Sequence, residues 1–149
     1  MRFRFVDRIV EWQPRQMIRG VKAVSFEEYE LRRALGDEPC LPGSLVLESL
    51  FQLGNWLILL SSDFTQMGVV LRFEEVRFPG RLCPGQSLCM EAIVRNWRDD
   101  GIVFDGHGWT DEQTIASGRG CLAMPVPVAE YCDPADLLVL SSEILRSRS

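Results

Sequence analysis

Between Pro42 and Leu60 the chain reads PGSLVLESLFQLGNWLILL, long enough for several helical turns and apolar on almost every face. A helix of that kind has to be covered on most sides, so it constrains the fold more than any other segment. Three residues break the pattern. Glu48, Gln52 and Asn55 stand at i, i+4 and i+7 and share one face. A carboxylate on a buried helix costs free energy unless something pairs it or uses it. The stripe is therefore the first place to look for chemistry, with Glu48 as the group able to give or take a proton.

The rest of the chain supplies what would cover the helix. Arg4 to Glu11 and Met17 to Val24 read as strands around a turn at Gln13–Gln16. Ser25 and Glu28 form a capping box for a short helix, Phe26 to Leu35, with Gly36 as its stop and a turn at Asp37–Pro39. After the apolar helix come strands at Val69–Phe78, Leu88–Trp97, Ile102–Thr110 and Thr114–Met124. Asp99-Asp100-Gly101 and Asp111-Glu112 are their turns, and Pro79-Gly80 ends the first of them. Pro125 and Pro127 are expected to end strand pairing. Asp133 and Pro134 cap and open a final helix, about 134–146, with Leu137, Leu140 and Ile144 as its apolar stripe. This order predicts an α+β fold in a single domain, 1–149, with its core at about 4–125. A strongly curved antiparallel sheet wraps a long central helix, and the C-terminal helix is extra. Such sheets pair edge to edge, so a two-fold homodimer is expected.

Composition narrows the function classes. A net charge of −5 and a pI near 4.9 argue against nucleic acid as a partner. Five cysteines with no CxxC pair read as reduced thiols of a cytoplasmic protein. The one histidine, His107, has no cysteine at ligand spacing, so neither a metal nor a cofactor is expected. The first residues lack the unbroken apolar run of a signal peptide. The Glu48 helix, short for a span and polar along one stripe, is not expected to cross a membrane.

Four stretches carry a resemblance. Val6-Asp7-Arg8-Ile9-Val10, Val21-Lys22-Ala23-Val24-Ser25, the run from Pro39 to Leu53, and Val76 to Gly85 are similar to segments of the hot-dog-fold 3-hydroxyacyl-acyl carrier protein dehydratases. The third is the most specific, matching that family's P-x-x-P-G-x-L-x-x-[ED]-x-x-x-Q pattern through Pro39, Pro42, Gly43, Leu45, Glu48 and Gln52. The resemblance implies a hot-dog fold and a protein that acts on or binds acyl thioesters in fatty acid or polyketide-type synthesis. Its partners would be acyl carrier protein or coenzyme A thioesters, and its assembly a homodimer, a higher oligomer or a pairing with a paralogue. In that family the helix carboxylate works with a histidine fourteen residues earlier, and here that position holds Ala34. The resemblance thus leaves Glu48 as the acid and removes the usual base. A family glycine on the next strand is also replaced, near Arg72. Two alternatives stand beside dehydration: a hot-dog acyl thioesterase in which Glu48 activates water, and a non-catalytic acyl-binding or partner subunit.

The remaining candidates each carry a plain structural reading too. Gln52 either orients Glu48 or a water, or satisfies the core; Asn55 reads as a structural hydrogen-bonder. The N–H groups of Gly43 and Ser44, at the helix start, are placed to hold a thioester oxygen. His107 is the alternative base, although a lone strand histidine is more often packing or surface. Its neighbours Gly106 and Gly108 signal a bulge or a close backbone approach. Cys40 faces either a pocket or an inert apolar wall. Arg32-Arg33 is a contact for a carrier's phosphopantetheine or a solvated face. The final helix is a docking element or a cover for the sheet of its own dimer.

Overall fold

A computed structural model describes residues 5–25 and 40–145. The expected Phe26–Leu35 helix and its capping box, Arg32, Arg33, Ala34 and the Asp37–Pro39 turn lie outside the described residues. Strands β1 (Arg8–Gln13) and β2 (Met17–Ala23) form a hairpin whose turn holds Arg15 at φ 60°. Helix α1 (Gly43–Ser61) follows, then β3 (Gln66–Arg72), β4 (Glu75–Arg77), β5 (Ser87–Arg98), β6 (Gly101–Trp109) and β7 (Thr114–Pro127). A 3-10 turn, Val128–Glu130, leads to helix α2 (Pro134–Ile144). The strands form one antiparallel sheet in the order β1-β2-β5-β6-β7-β3, with β4 also on β7.

The sheet curls around α1, as the apolar sequence of that helix demands. Leu50, Leu53, Trp56, Leu57, Ile58 and Leu59 are each at most 2% exposed. Burying one such side chain contributes ~1.5–3 kcal/mol, so this helix dominates the core. Its seating is close. A Cβ added at Gly20 of β2 would lie 2.8 Å from Leu53, and one at Gly68 of β3 would lie 2.7 Å from Ile58. At 19 residues α1 is in fact long and apolar enough to cross a membrane, and what distinguishes it is the sheet around it.

Two expectations need correction. Val69–Phe78 was expected as one strand but is two, both on β7. β3 pairs with residues 122–127 of β7 and β4 with residues 117–119. The break follows from a kink in β7 at Gly120, whose φ is +64° and whose Cα is covered by the Glu74 carboxyl group. Pro125 and Pro127 do not end pairing either; they stand opposite Gly68 and Gln66 of β3. Beyond Ala123, β7 has left β6 and is paired on one side alone, where a strand tolerates residues without an N–H.

Asp133 caps α2 by accepting the Ala135 N–H at 2.9 Å, with Pro134 in the first turn. Leu137 and Ile144 enter the core, Leu140 packs against it, and Leu138 and Val139 face out.

Candidate functional site

The site is built at the start of α1. Pro42 occupies the cap position with no side-chain cap. The preceding residue, Leu41, is tied to Leu82 by a 2.8 Å hydrogen bond from its N–H. On the other side the ring of Phe78 lies over Gly43, 3.0–3.2 Å from where a Cβ would stand. A side chain at this position would have to push the ring back by a few tenths of an ångström. Between these contacts is a cavity of about 200 Å³, lined by Cys40, Gly43, Val46, Phe78, Leu82 and Ile115 among others.

The polar stripe runs along a different face. Ser44 is exposed, Glu48 half-buried and Gln52 only 3% exposed. Gln52 is fixed from both ends. Its Oε1 accepts the Phe5 N–H at 2.9 Å, which leaves its Nε2 to donate to Glu48 Oε1 at 3.2 Å. Because the backbone can only donate, the amide cannot be flipped, so the group facing Glu48 is a donor. A donor aimed at one carboxylate oxygen sets the orientation of the acid. Asn55 does something else: its Oδ1 accepts the Gly68 N–H at 2.7 Å and fastens β3 to the helix.

The expected residues are thus partly assembled. Ser44, Glu48 and Gln52 are together, while Gly43 turns toward the cavity, which Glu48 does not line. His107 stands apart. Its neighbours Gly106 and Gly108 point inward at Leu50, so His107 projects from the outer face of β6, exposed and stacked on Trp109 at 5.0 Å. Register shifts flank both glycines, so the bulge and the close approach are both present. Arg72 is exposed and Phe51 half-buried.

One residue was missed. Lys22 is 3% exposed and shares the inward face of β2 with Ile18 and Gly20. Its Nζ lies 5.0 Å from the centre of the Phe5 ring, and Phe5 is the residue bonded to Gln52. An inward cation therefore sits one residue removed from the Gln52–Glu48 pair. The signal was present in the alternation of β2, where position 22 falls in phase with Ile18. Among the described residues, no three His, Cys, Asp or Glu side chains cluster closely enough to hold a metal ion.

The chain is similar to known proteins in sequence and in fold. Residues 1–119 match the FabA-like domain family. A 3-hydroxyacyl-acyl-carrier-protein dehydratase FabZ of Oleidesulfovibrio alaskensis is 35% identical over 120 residues, covering 78% of each chain. The protein of that name from Campylobacter lari is 29% identical over 122 residues, covering 78% of this chain and 84% of its own. Among solved structures, a hot-dog-like protein from Thermanaerovibrio acidaminovorans superposes with a TM-score of 0.62 at 17% identity, covering 89% of this chain and 92% of its own. The smu.793 protein of Streptococcus mutans, solved bound to acetyl CoA, gives 0.63 at 12% identity, covering 80% and 88%. The sheet around α1 is a hot-dog fold.

Proposed function

The chain belongs to the FabA-like domain family, and on that premise we propose that it acts on 3-hydroxyacyl thioesters of acyl carrier protein or coenzyme A, with Glu48 as the reacting carboxylate. The observation that carries the reading is Gln52, held by the Phe5 N–H so that its own N–H fixes one oxygen of Glu48.

Dehydration breaks the C–O bond at the hydroxyl-bearing carbon and a C–H bond beside the carbonyl; a double bond forms and water leaves. The leaving hydroxyl needs a proton donor and the C–H proton an acceptor. Glu48 supplies the proton to the hydroxyl, and the C–H proton has to pass to a second base that replaces the imidazole absent at Ala34. The N–H groups of Gly43 and Ser44 draw charge onto the thioester oxygen, which acidifies the neighbouring C–H. The substrate enters as a thioester and leaves as one, so no cofactor is required.

A second reading is favoured by one observation: His107, the only histidine, faces away from α1. With no imidazole beside it, Glu48 suits hydrolysis. It takes a proton from water, the hydroxide adds to the thioester carbonyl, the C–S bond breaks, and Glu48 returns the proton to the departing sulfur. One assay separates these readings. A 3-hydroxyacyl thioester is followed for enoyl product and for thiol release, with Glu48→Gln and Ala34→His alongside. Enoyl formation that is lost in Glu48→Gln supports dehydration; thiol release that is lost in the same variant supports hydrolysis. Tight acyl-thioester binding without turnover assigns the chain to acyl binding, and turnover indifferent to Glu48→Gln refutes the site. Gain of dehydration in Ala34→His would mean that the groove is intact and only a base is missing.

We also propose a homodimer joined at β3. It is an edge strand with Val69 and Leu71 37% and 56% exposed, and an open edge of that kind invites a second copy. Sedimentation of the wild type against Leu71→Lys tests it.

A further inference from the structure

Two nucleophiles that acyl-thioester chemistry leaves unused meet beside Gly43, Cys40 on the cavity wall and Cys83 against it. The sulfurs of Cys40 and Cys83 lie 2.9 Å apart. The backbone puts them there. Leu41 and Leu82 form an antiparallel bridge, and Cys40 and Cys83 are the next residues outward on its two strands. Cys83 is held further by a turn: its N–H donates to Gln86 Oε1 at 2.9 Å, and the Gln86 N–H donates back to the Cys83 carbonyl at 3.1 Å. Gly85 makes that turn possible at φ +86°. Both cysteines are half-buried, within reach of a small reagent, and Cys40 lines the cavity. The other cysteines are placed differently. Cys121 is fully buried in β7, Cys132 is exposed beyond the 3-10 turn, and Cys89 is half-buried on β5.

We propose that Cys40 and Cys83 form a dithiol modification site that reacts with low-molecular-weight disulfides to close an intramolecular disulfide. One cysteine, as its thiolate, attacks a sulfur of the small disulfide; the S–S bond breaks and a small thiol leaves, giving a mixed disulfide on the protein. The second cysteine, already in contact, attacks the protein sulfur of that mixed disulfide and displaces the second small thiol. Two protein thiols have then lost two electrons and two protons, and the small disulfide has become two thiols. The new bond fastens the segment before α1, three residues from its start, to the segment between β4 and β5. The site does not depend on the reaction proposed for Glu48.

The test uses the full chain with Cys132→Ser, which removes the exposed competing thiol. Folded protein is incubated with oxidised glutathione, quenched in acid, alkylated with a maleimide, and read by intact mass and peptide mapping. The expected result is loss of both maleimide-reactive thiols with no glutathionyl group retained, and a cross-linked peptide joining Cys40 to Cys83. Cys40→Ser and Cys83→Ser should each instead keep one glutathionyl group on the surviving cysteine. Phenylarsine oxide, which needs two adjacent thiols, should bind the unsubstituted pair and prevent the cross-link, a readout that does not rely on either serine variant folding. A stable glutathionyl group on Cys40 or Cys83 when both are present, a cross-link to Cys89, or no reaction at either residue would each overturn the proposal.

Discussion

Replacing Gly54 with alanine tests how closely α1 is seated on the sheet. The new methyl carbon would lie 2.6 Å from Cε2 and 2.9 Å from Cε1 of Phe104, with Cζ nearer still. Ordinary carbon–carbon contact is ~3.5–4.0 Å, so about 1 Å has to open along the end of the ring. Phe104 is 2% exposed on β6, so its ring has no solvent to swing into. Either the helix lifts or the ring leaves its rotamer. Overpacking of this kind costs ~1–3 kcal/mol, and three ring atoms in conflict place this case at the upper end. Alanine returns ~1 kcal/mol through its helix propensity. The net loss expected is about 2 kcal/mol, a fall in Tm of ~4–8 °C for a chain of this size. It is measured by thermal or urea unfolding at one fixed protein concentration, since dimerisation would otherwise shift the midpoint. Phe104→Leu, which removes the end of the ring, supplies the control. In that background Gly54→Ala should be neutral or stabilising by up to ~1 kcal/mol, giving a coupling of about 2–3 kcal/mol between the two sites. Gly54→Ala at or above wild-type stability, or the same increment in both backgrounds, would refute the close seating.

Three further outcomes follow from the geometry. Glu48→Gln should lower turnover ~10²-fold or more, in whichever of the two reactions is observed, while changing the unfolding midpoint little, because the residue is half-buried and its amide still pairs with Gln52. Asn55→Leu removes the acceptor of the Gly68 N–H and should cost ~1–3 kcal/mol; hydrogen exchange should show β3 loosening before the rest of the sheet. Burial pushes the Cys121 thiol up to about 12 from an ordinary 9.0. The unfolded chain therefore loses this proton first, so the stability it contributes is complete below about pH 9 and is lost as pH rises toward 12. Alkaline unfolding should flatten over that range in Cys121→Ala, read from the slope against pH rather than from absolute stability.

The helix and its stripe were legible because both depend on spacing within one element. Sequence order alone also placed the β5–β6 hairpin and the Asp133 cap. The features that escaped depend on pairings between distant segments. Pro125 and Pro127 are ordinary strand breakers until one knows that β7 has an empty side there. Val69–Phe78 looks continuous because the kink that divides it belongs to Gly120, on another strand. The roles of Gly43 and Cys40 rest on Phe78 and Cys83, each more than thirty residues away in sequence. His107 was a candidate by residue type, and only its two inward neighbours reveal which face it takes.

The covered helix also sets a timetable. Residues 43–61 are synthesised before every strand from β3 to β7, and the last of these ends at Pro127, sixty-six residues after Ser61. At the ~5–20 residues per second of translation, that interval is about 3–13 s. Throughout it the nascent chain carries a segment as long and apolar as a membrane span, and of the described sheet the β1–β2 hairpin alone has been made. A holdase or a neighbouring nascent copy that binds during those seconds would meet the same surface that β3, β5, β6 and β7 later claim. Slow codons placed after Ser61 would lengthen this exposure, whereas the same codons placed after Pro127 would leave it unchanged.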